Sequence, residues 1–276
     1  VATPEPLTLY TADGVRIDAG HTRGEGGVCF VLAHGFTCSW RQPALRRIAA
    51  ALGRHGGVIG IDFRGHGRSG GHSTVGDREV LDVDAAVAAA RRRGYERIVL
   101  TGFSMGGAVV VRHAALHGGA DAVISVSAPA RWYYRGTVPM RRVHWVIERR
   151  AGRMAVRLAR GTRIAPKGWD PVPEAPHEVA GRIAPVPFLV VHGAADPFFP
   201  VEHGRQLYGA ASEPKELWIE PGFGHAEAAA TPDLIDRLGT WATNAVSATP
   251  ASTLPEEPPP GGPLREGPTP GSPLRD

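Results

Sequence analysis

The feature that most constrains this chain is a series of short, almost continuously apolar runs separated by helical patterns. VCFVLAHG (28–35), VIGIDFRG (58–65), RIVLTGFS (97–104), AVISVSAP (122–129), PFLVVHG (187–193) and ELWIEPG (216–222) each read as a strand entering a turn. A strand without polar alternation is covered on both faces, which is the condition of a parallel sheet. Between these runs, residues 43–54, 79–93, 105–117 and 203–211 carry helical periodicity. A last helix is predicted from Thr231 to about Val246, with Pro232 in its first turn. Strands and helices alternating at this spacing predict an open α/β sheet, mostly parallel, with helices on both faces. The opening LTLYTADGVRIDAG reads as an antiparallel hairpin that turns at Asp13-Gly14.

Two segments break the rhythm. Residues 131–182 are too many for a loop. Their centre, MRRVHWVIERRAGRMAVRLA, has helical periodicity, with Met140, Val143, Ile147, Met154 and Leu158 on one face and arginines over the rest. The expectation is a helical cap inserted into the domain. From 247 to 276, proline and glycine dominate and aromatics vanish, which predicts a passive, disordered tail. The chain is therefore expected to hold one domain, 1–246, with its cap at about 131–182, followed by the tail.

Composition removes several classes. With 42% hydrophobic and 21% charged residues, 276 residues make an ordinary globular chain rather than a fibrous or wholly disordered one. No run approaches the roughly 18 apolar residues of a spanning helix. The two cysteines, Cys29 and Cys38, lie at opposite ends of a predicted strand, beyond disulfide reach. VATPEPLTLY lacks the basic and apolar regions of a signal peptide, so the expected compartment is the cytoplasm.

The chemistry centres on Gly102-Phe103-Ser104-Met105-Gly106, a G-x-S-x-G that follows a strand and opens a helix. A serine there projects from the sheet edge on a tight turn, and small residues at 102 and 106 admit the neighbouring backbone. A serine hydroxyl needs a base, and the base needs an orienting acid. Of twelve histidines, His225 in PGFGH follows the last strand run. Asp196 in HGAADPFFP follows the preceding one, and Asp121 and Asp170 are the weaker acids. His34-Gly35-Phe36 ends another strand, so the Phe36 and Met105 N–H groups are the predicted oxyanion donors. His34 itself is expected to be structural. Trp132 and Phe198 are the predicted pocket aromatics. No metal-ligand, P-loop or dinucleotide pattern is present, and neither metal nor cofactor is expected.

These motifs, with Asp62-Phe63-Arg64-Gly65-His66-Gly67-Arg68-Ser69, resemble the lipase, esterase and S33 peptidase-like branch of the α/β-hydrolase superfamily over roughly residues 7–246. The resemblance implies a mostly parallel, eight-stranded-type sheet and a cap between the strands near Val126 and Val190. It implies Ser104 as nucleophile, His225 as base, Asp196 as acid, and an oxyanion hole from Phe36 and Met105. It also implies that the 62–69 segment is architectural. The expected activity is hydrolysis of small carboxylic esters, monoacylglycerols and thioesters among them, through an acyl-enzyme. An S33-type aminopeptidase or amidase is the rival enzyme. A catalytically silent binding protein on the same fold is the rival of another class.

The charge is unevenly spread. The formal charge is +4, and Lys167 and Lys215 are the only lysines among 31 basic residues. Residues 131–163 hold ten arginines and one acid, Glu148. Nucleic acid is not expected, because no binding motif accompanies the charge. Three readings stay open: a solvated face in an arginine-rich composition, capture of an acidic substrate or carrier, and contact with an anionic membrane. Oligomeric state is not legible.

Overall fold

The apolar runs form six strands: β3 (Val28–Ala33), β4 (Gly57–Ile61), β5 (Arg97–Phe103), β6 (Ala122–Val126), β7 (Phe188–Gly193) and β8 (Lys215–Glu220). The computed structural model describes residues 3–248. Before these strands comes the hairpin of β1 (Glu5–Tyr10) and β2 (Arg16–Thr22), in register from Glu5–His21 to Tyr10–Arg16. Its turn is closed by the Val15 N–H donating to the Thr11 hydroxyl at 2.9 Å, with Gly14 at φ +79°. The eight strands form one sheet in the order β1-β2-β4-β3-β5-β6-β7-β8. β1 and β2 are antiparallel to their neighbours, and β3 to β8 run parallel.

The helices are α1 (Pro43–Leu52), α2 (Val80–Arg92), α3 (Met105–Leu116), α4 (Val138–Glu148), α5 (Arg150–Arg160), α6 (Pro176–Val179), α7 (Glu202–Ala210), α8 (Ala226–Ala229) and α9 (Pro232–Ala248). Strand β3 shows why the runs are continuously apolar. Cys29, Val31 and Ala33 pack with residues of α2 and α3, while Phe30 and Leu32 pack with residues of α1 and α9. Alternate side chains enter two separate cores, so no position along the strand faces water.

Between β6 and β7 lies the arginine-rich insertion, and its phase differs from expectation. The helical run breaks at Arg149, which is extended (φ −96°, ψ 134°). Met140 is buried and Val143 and Ile147 are half-buried, as the shared stripe predicted. Met154 and Leu158 are not on that face; they are 50% and 81% exposed. The break resets the helix rotation, so α5 buries Gly152 and Val156 instead. Gly152 decides which face is inward: a Cβ there would lie 2.6 Å from the Trp145 carbonyl oxygen and from the Val146 Cα, and its absence lets α5 press onto α4.

The insertion is seated on the body through buried polar groups. The Arg112 guanidinium, almost wholly buried, donates to the carbonyls of Gly76, Asp77 and Glu174. Trp169 Nε1–H donates to the Thr74 carbonyl, and the loop holding Thr74 is gathered on the buried Glu79 carboxylate, which accepts from residues 73–76. Helix α9 continues two residues past its predicted end, to Ala248. The rest of the predicted tail, 249–276, lies outside the described residues. Among the described residues no helix is long and apolar enough to cross a membrane.

Candidate active site

Strand β5 is central in the sheet, and at its C-terminal end the chain turns sharply into α3. Ser104 occupies that turn at φ +52°, ψ −118°. A side chain with a Cβ rarely adopts this region, and such strain persists only where surroundings enforce it. Here the Ser104 N–H donates to the Val126 carbonyl of β6 at 2.8 Å. The two glycines are required by approach distance. A Cβ on Gly102 would lie 2.3 Å from the Gly106 carbonyl oxygen, and one on Gly106 would lie 2.4 Å from the Ala33 carbonyl oxygen.

The turn after β7 carries Asp196, and the turn after β8 carries His225. His225 Nε2 is 2.9 Å from Ser104 Oγ, and His225 Nδ1 is 2.7 Å from Asp196 Oδ2. The Asp196 side chain is fully buried. Its second oxygen, Oδ1, accepts the N–H groups of Phe198 (2.8 Å) and Phe199 (3.1 Å). Those two bonds fix the carboxylate plane and satisfy an otherwise costly buried charge. Beneath it lies His192, with Nε2 donating to the Phe199 carbonyl at 3.0 Å and burial pulling its pKa down. The structure therefore brings together Ser104, Asp196 and His225 from three strand ends.

The predicted oxyanion donors are also at this point. Phe36 and Met105 line the cavity with Ser104, and neither N–H has a partner among the described residues. Met105 is the first residue of α3, where unpaired N–H groups and the helix dipole favour negative charge. His34 is structural: Nδ1–H donates to the Gly35 carbonyl at 2.7 Å, and Nε2 accepts the Phe63 N–H at 3.1 Å. Full burial lowers its pKa to about 4.

The remaining candidates separate cleanly. Phe198 stacks on the His225 ring at 4.4 Å between centroids, and it lines the cavity. Trp132 lines the cavity too, with its indole N–H donating to the Pro173 carbonyl at 2.8 Å. Asp170 lines the cavity but makes no hydrogen bond to Ser104, Asp196 or His225, while Asp121 is tied to Arg91 and the Ile98 N–H at the far end of β5. The 62–69 segment is internal scaffolding: Asp62 accepts the Trp40 and Arg68 N–H groups, and Arg64 bridges Asp13 and Asp82. Cys29 and Cys38 are both free. Among the described residues no His, Cys, Asp and Glu cluster is arranged to hold a metal ion.

Two residues escaped the sequence reading. Glu227, two places after His225, is 6% exposed and accepts the Gly35 N–H through Oε1 at 3.2 Å. Ser127, at φ +51°, accepts the Ala226 N–H through its hydroxyl at 3.2 Å. A carboxylate in the run HAEAAA reads as an ordinary solvated charge, and only its closeness to His225 could have drawn attention.

The cavity over Ser104 measures about 1200 Å³. Its walls come from the turn after β3, from α4, α5 and the 164–170 segment, and from Phe198 and Phe199. An imidazole bonded to a hydroxyl on one side and to a buried carboxylate on the other can accept the hydroxyl proton while the carboxylate balances the charge.

The family described as Serine aminopeptidase, S33, matches residues 27–177. The chain belongs to this S33 family of α/β-hydrolases. The match ends before Asp196 and His225, so their placement rests on the geometry above. Monoacylglycerol lipase from Mycolicibacterium smegmatis is 28% identical over 236 residues, spanning 71% of this chain and 80% of that protein. The uncharacterized protein YfhR from Escherichia coli O157:H7 is 28% identical over 229 residues, spanning 81% of this chain and 68% of YfhR. Among solved structures, the Pyrococcus furiosus esterase Pf2001 superposes with a TM-score of 0.68 at 21% identity, over 89% of this chain and 92% of that one. The α/β-hydrolase GrgF from Penicillium sp. sh18 does so at 0.69 and 19%, over 89% and 100%. At those identities the likeness of the S33 member to both structures is one of fold.

Proposed function

We propose that this chain is a serine hydrolase that cleaves small carboxylic esters through an acyl-enzyme. The observation that carries the reading is the single imidazole of His225, within hydrogen-bond distance of both Ser104 Oγ and the buried Asp196. Ser104 Oγ attacks the ester carbonyl as His225 Nε2 takes its proton. The Phe36 and Met105 N–H groups receive the developing oxyanion, a contribution of about 3 kcal/mol per donor in sites of this kind. His225 then gives the proton to the departing alkoxide. It next removes one from water, which attacks the acyl-Ser104 carbonyl, and returns that proton to Ser104 Oγ as the acid departs. Asp196 holds the Nδ1–H tautomer and stabilises the imidazolium.

Esters are favoured over peptides by the charge around the cavity. Arg78, Arg131, Arg142, Arg153, Arg160 and Lys167 line it against Asp77, Glu148, Asp170 and Glu227. An aminopeptidase must hold an ammonium group. Here Glu227 is engaged by Gly35, Glu148 by Arg135 and His144, and Asp77 by Arg112, which leaves the exposed Asp170 as the lining acid without an ion-pair partner among the described residues. Aromatic and aliphatic side chains make up most of the remaining wall, which suits an acyl chain. The name of the mycobacterial relative, a monoacylglycerol lipase, is consistent with that class.

The test is a turnover panel of p-nitrophenyl acyl esters, acyl thioesters and aminoacyl arylamides. The reading expects kcat/KM on esters to exceed that on arylamides by at least about tenfold, or about 1.4 kcal/mol. Preference for arylamides would move the chain to the aminopeptidase reading. No turnover on any of them, with no labelling of Ser104 by a fluorophosphonate, would make it a binding protein.

A further inference from the structure

The outer face of α5 has no partner. Ala151, Met154, Ala155 and Leu158 are spaced to form one stripe, and all four are exposed, Leu158 by 81%. Helix α5 turns Val156, not this stripe, toward the cavity. Arg150 and Arg157 run along one edge of the stripe, with Arg153 and Arg160 beyond them. The helix contains no acidic residue. Glu148, the one acid of residues 131–163, is already taken up by Arg135 and His144. Arg150, Arg157 and Arg160 have no ion-pair partner among the described residues.

The feature extends beyond α5. Of the eight large hydrophobic side chains that stand exposed among the described residues, six lie in 131–182: Tyr133, Val138, Trp145, Met154, Leu158 and Val172. Trp145 is 51% exposed and shares a shallow hollow of α4 with Val138, Arg141 and Arg142. Apolar side chains next to unpaired arginines on α5, and an exposed tryptophan on the neighbouring α4, are the composition of an interfacial surface. Arginine stems can lie along apolar surface while their heads reach anionic groups.

We propose that the α4–α5 face docks this enzyme on an anionic lipid surface, with Met154 and Leu158 entering the acyl-chain boundary and the arginines meeting headgroup phosphates. The proposal rests on the ester-hydrolase reading only for its purpose. The inner faces of α4 and α5 line the cavity over Ser104, so docking puts that cavity beside its lipid substrate. A second copy of the chain is a poor occupant, because the same arginines would face one another. An acidic protein would satisfy the charges and leave the exposed Leu158 and Met154 needing a matching apolar groove.

Co-sedimentation of the full chain with vesicles tests this. One set is pure phosphatidylcholine and the other contains phosphatidylglycerol. The expected result is sedimentation with the anionic vesicles alone, weakened by added salt. M154D/L158D and R150E/R157E are each expected to weaken it by about tenfold or more, since each arginine near an anionic surface is worth about fivefold. None of these four side chains lines the cavity, so hydrolysis of soluble p-nitrophenyl butyrate should be unchanged. S104A should sediment like the parent. Absence of soluble-ester hydrolysis by the parent chain, with its sedimentation intact, would overturn the enzyme reading and leave the docking face standing. No sedimentation with anionic vesicles, sedimentation unaltered in both double variants, or capture by poly-glutamate but not by vesicles would overturn the docking proposal.

Discussion

Glu227 Oε1 accepts the Gly35 N–H at 3.2 Å, and so links the loop of His225 to the turn that carries Phe36. The two parts meet close to Ser104: an added Cβ on Gly35 would lie 2.9 Å from Glu227 Oε1 and 3.3 Å from Ser104 Cβ. One buried carboxylate thereby sets the His225 loop and the Phe36 turn relative to each other.

Glu227→Ala orphans the Gly35 N–H in a buried place. The cost of an unsatisfied buried donor, about 1–3 kcal/mol, should appear as a roughly 10–100-fold loss in kcat with little change in KM. Glu227→Gln keeps the acceptor oxygen and should recover most of that loss. Steady-state kinetics on one ester for both variants checks the pattern. Equal losses in the two variants would show that the charge matters and the hydrogen bond does not.

Asp196→Asn preserves shape and removes the charge that holds the Nδ1–H tautomer of His225. Its amide would also set an N–H donor against the Phe198 or Phe199 N–H. A drop in kcat of about 10³–10⁴ is expected, with the fold intact by circular dichroism. Activity within tenfold of the parent would remove Asp196 from the mechanism.

Gly106→Ala places a methyl 2.4 Å from the Ala33 carbonyl oxygen and 2.6 Å from that of His34. Both are backbone atoms, so β3 and α3 must separate. A loss of about 3 kcal/mol or more is expected, read from denaturant midpoints, together with loss of ester hydrolysis. Gly209→Ala, with nothing within 4 Å of the added Cβ, is the control and should be nearly neutral.

Acid should destabilise the protein early. Burial lowers the pKa of His34 to about 4, of His66 to about 3 and of His203 to about 4, from an ordinary 6.5. All three stay neutral when folded and take up protons when unfolded. Their contribution is therefore full above pH 6.5 and is lost as pH falls toward 4, at about 1.4 kcal/mol per pH unit for each. Urea midpoints measured from pH 8 to pH 4 should begin to fall near pH 6.5, with Asp82, whose carboxyl pKa burial raises to about 7, opposing the trend by about one histidine's worth. A flat profile down to pH 5 would contradict this.

The parts of the site that follow from local chain rules were legible in the sequence. A strand, a turn that only small neighbours permit and a helix identify Ser104 without knowledge of anything distant. Asp196 and His225 are candidates by their place after consecutive strands, because a parallel sheet delivers the C-terminal ends of its strands to one edge, and the structure brings them within hydrogen-bond distance of each other. Glu227 was not found, since its partner Gly35 lies 192 residues away and its own neighbours read as a helix start. Met154 and Leu158 were misplaced for a similar reason. Periodicity carries phase through an unbroken helix, and the extended Arg149 together with the close contact at Gly152 resets it.

The central claim is that the Ser104 hydroxyl is the attacking group. The most direct measurement is p-nitrophenyl butyrate hydrolysis by Ser104→Ala beside the parent, with matched folding by circular dichroism. A fall in kcat of about 10⁴ or more is predicted, as for removal of a triad nucleophile. Turnover by Ser104→Ala within a fewfold of the parent would contradict it.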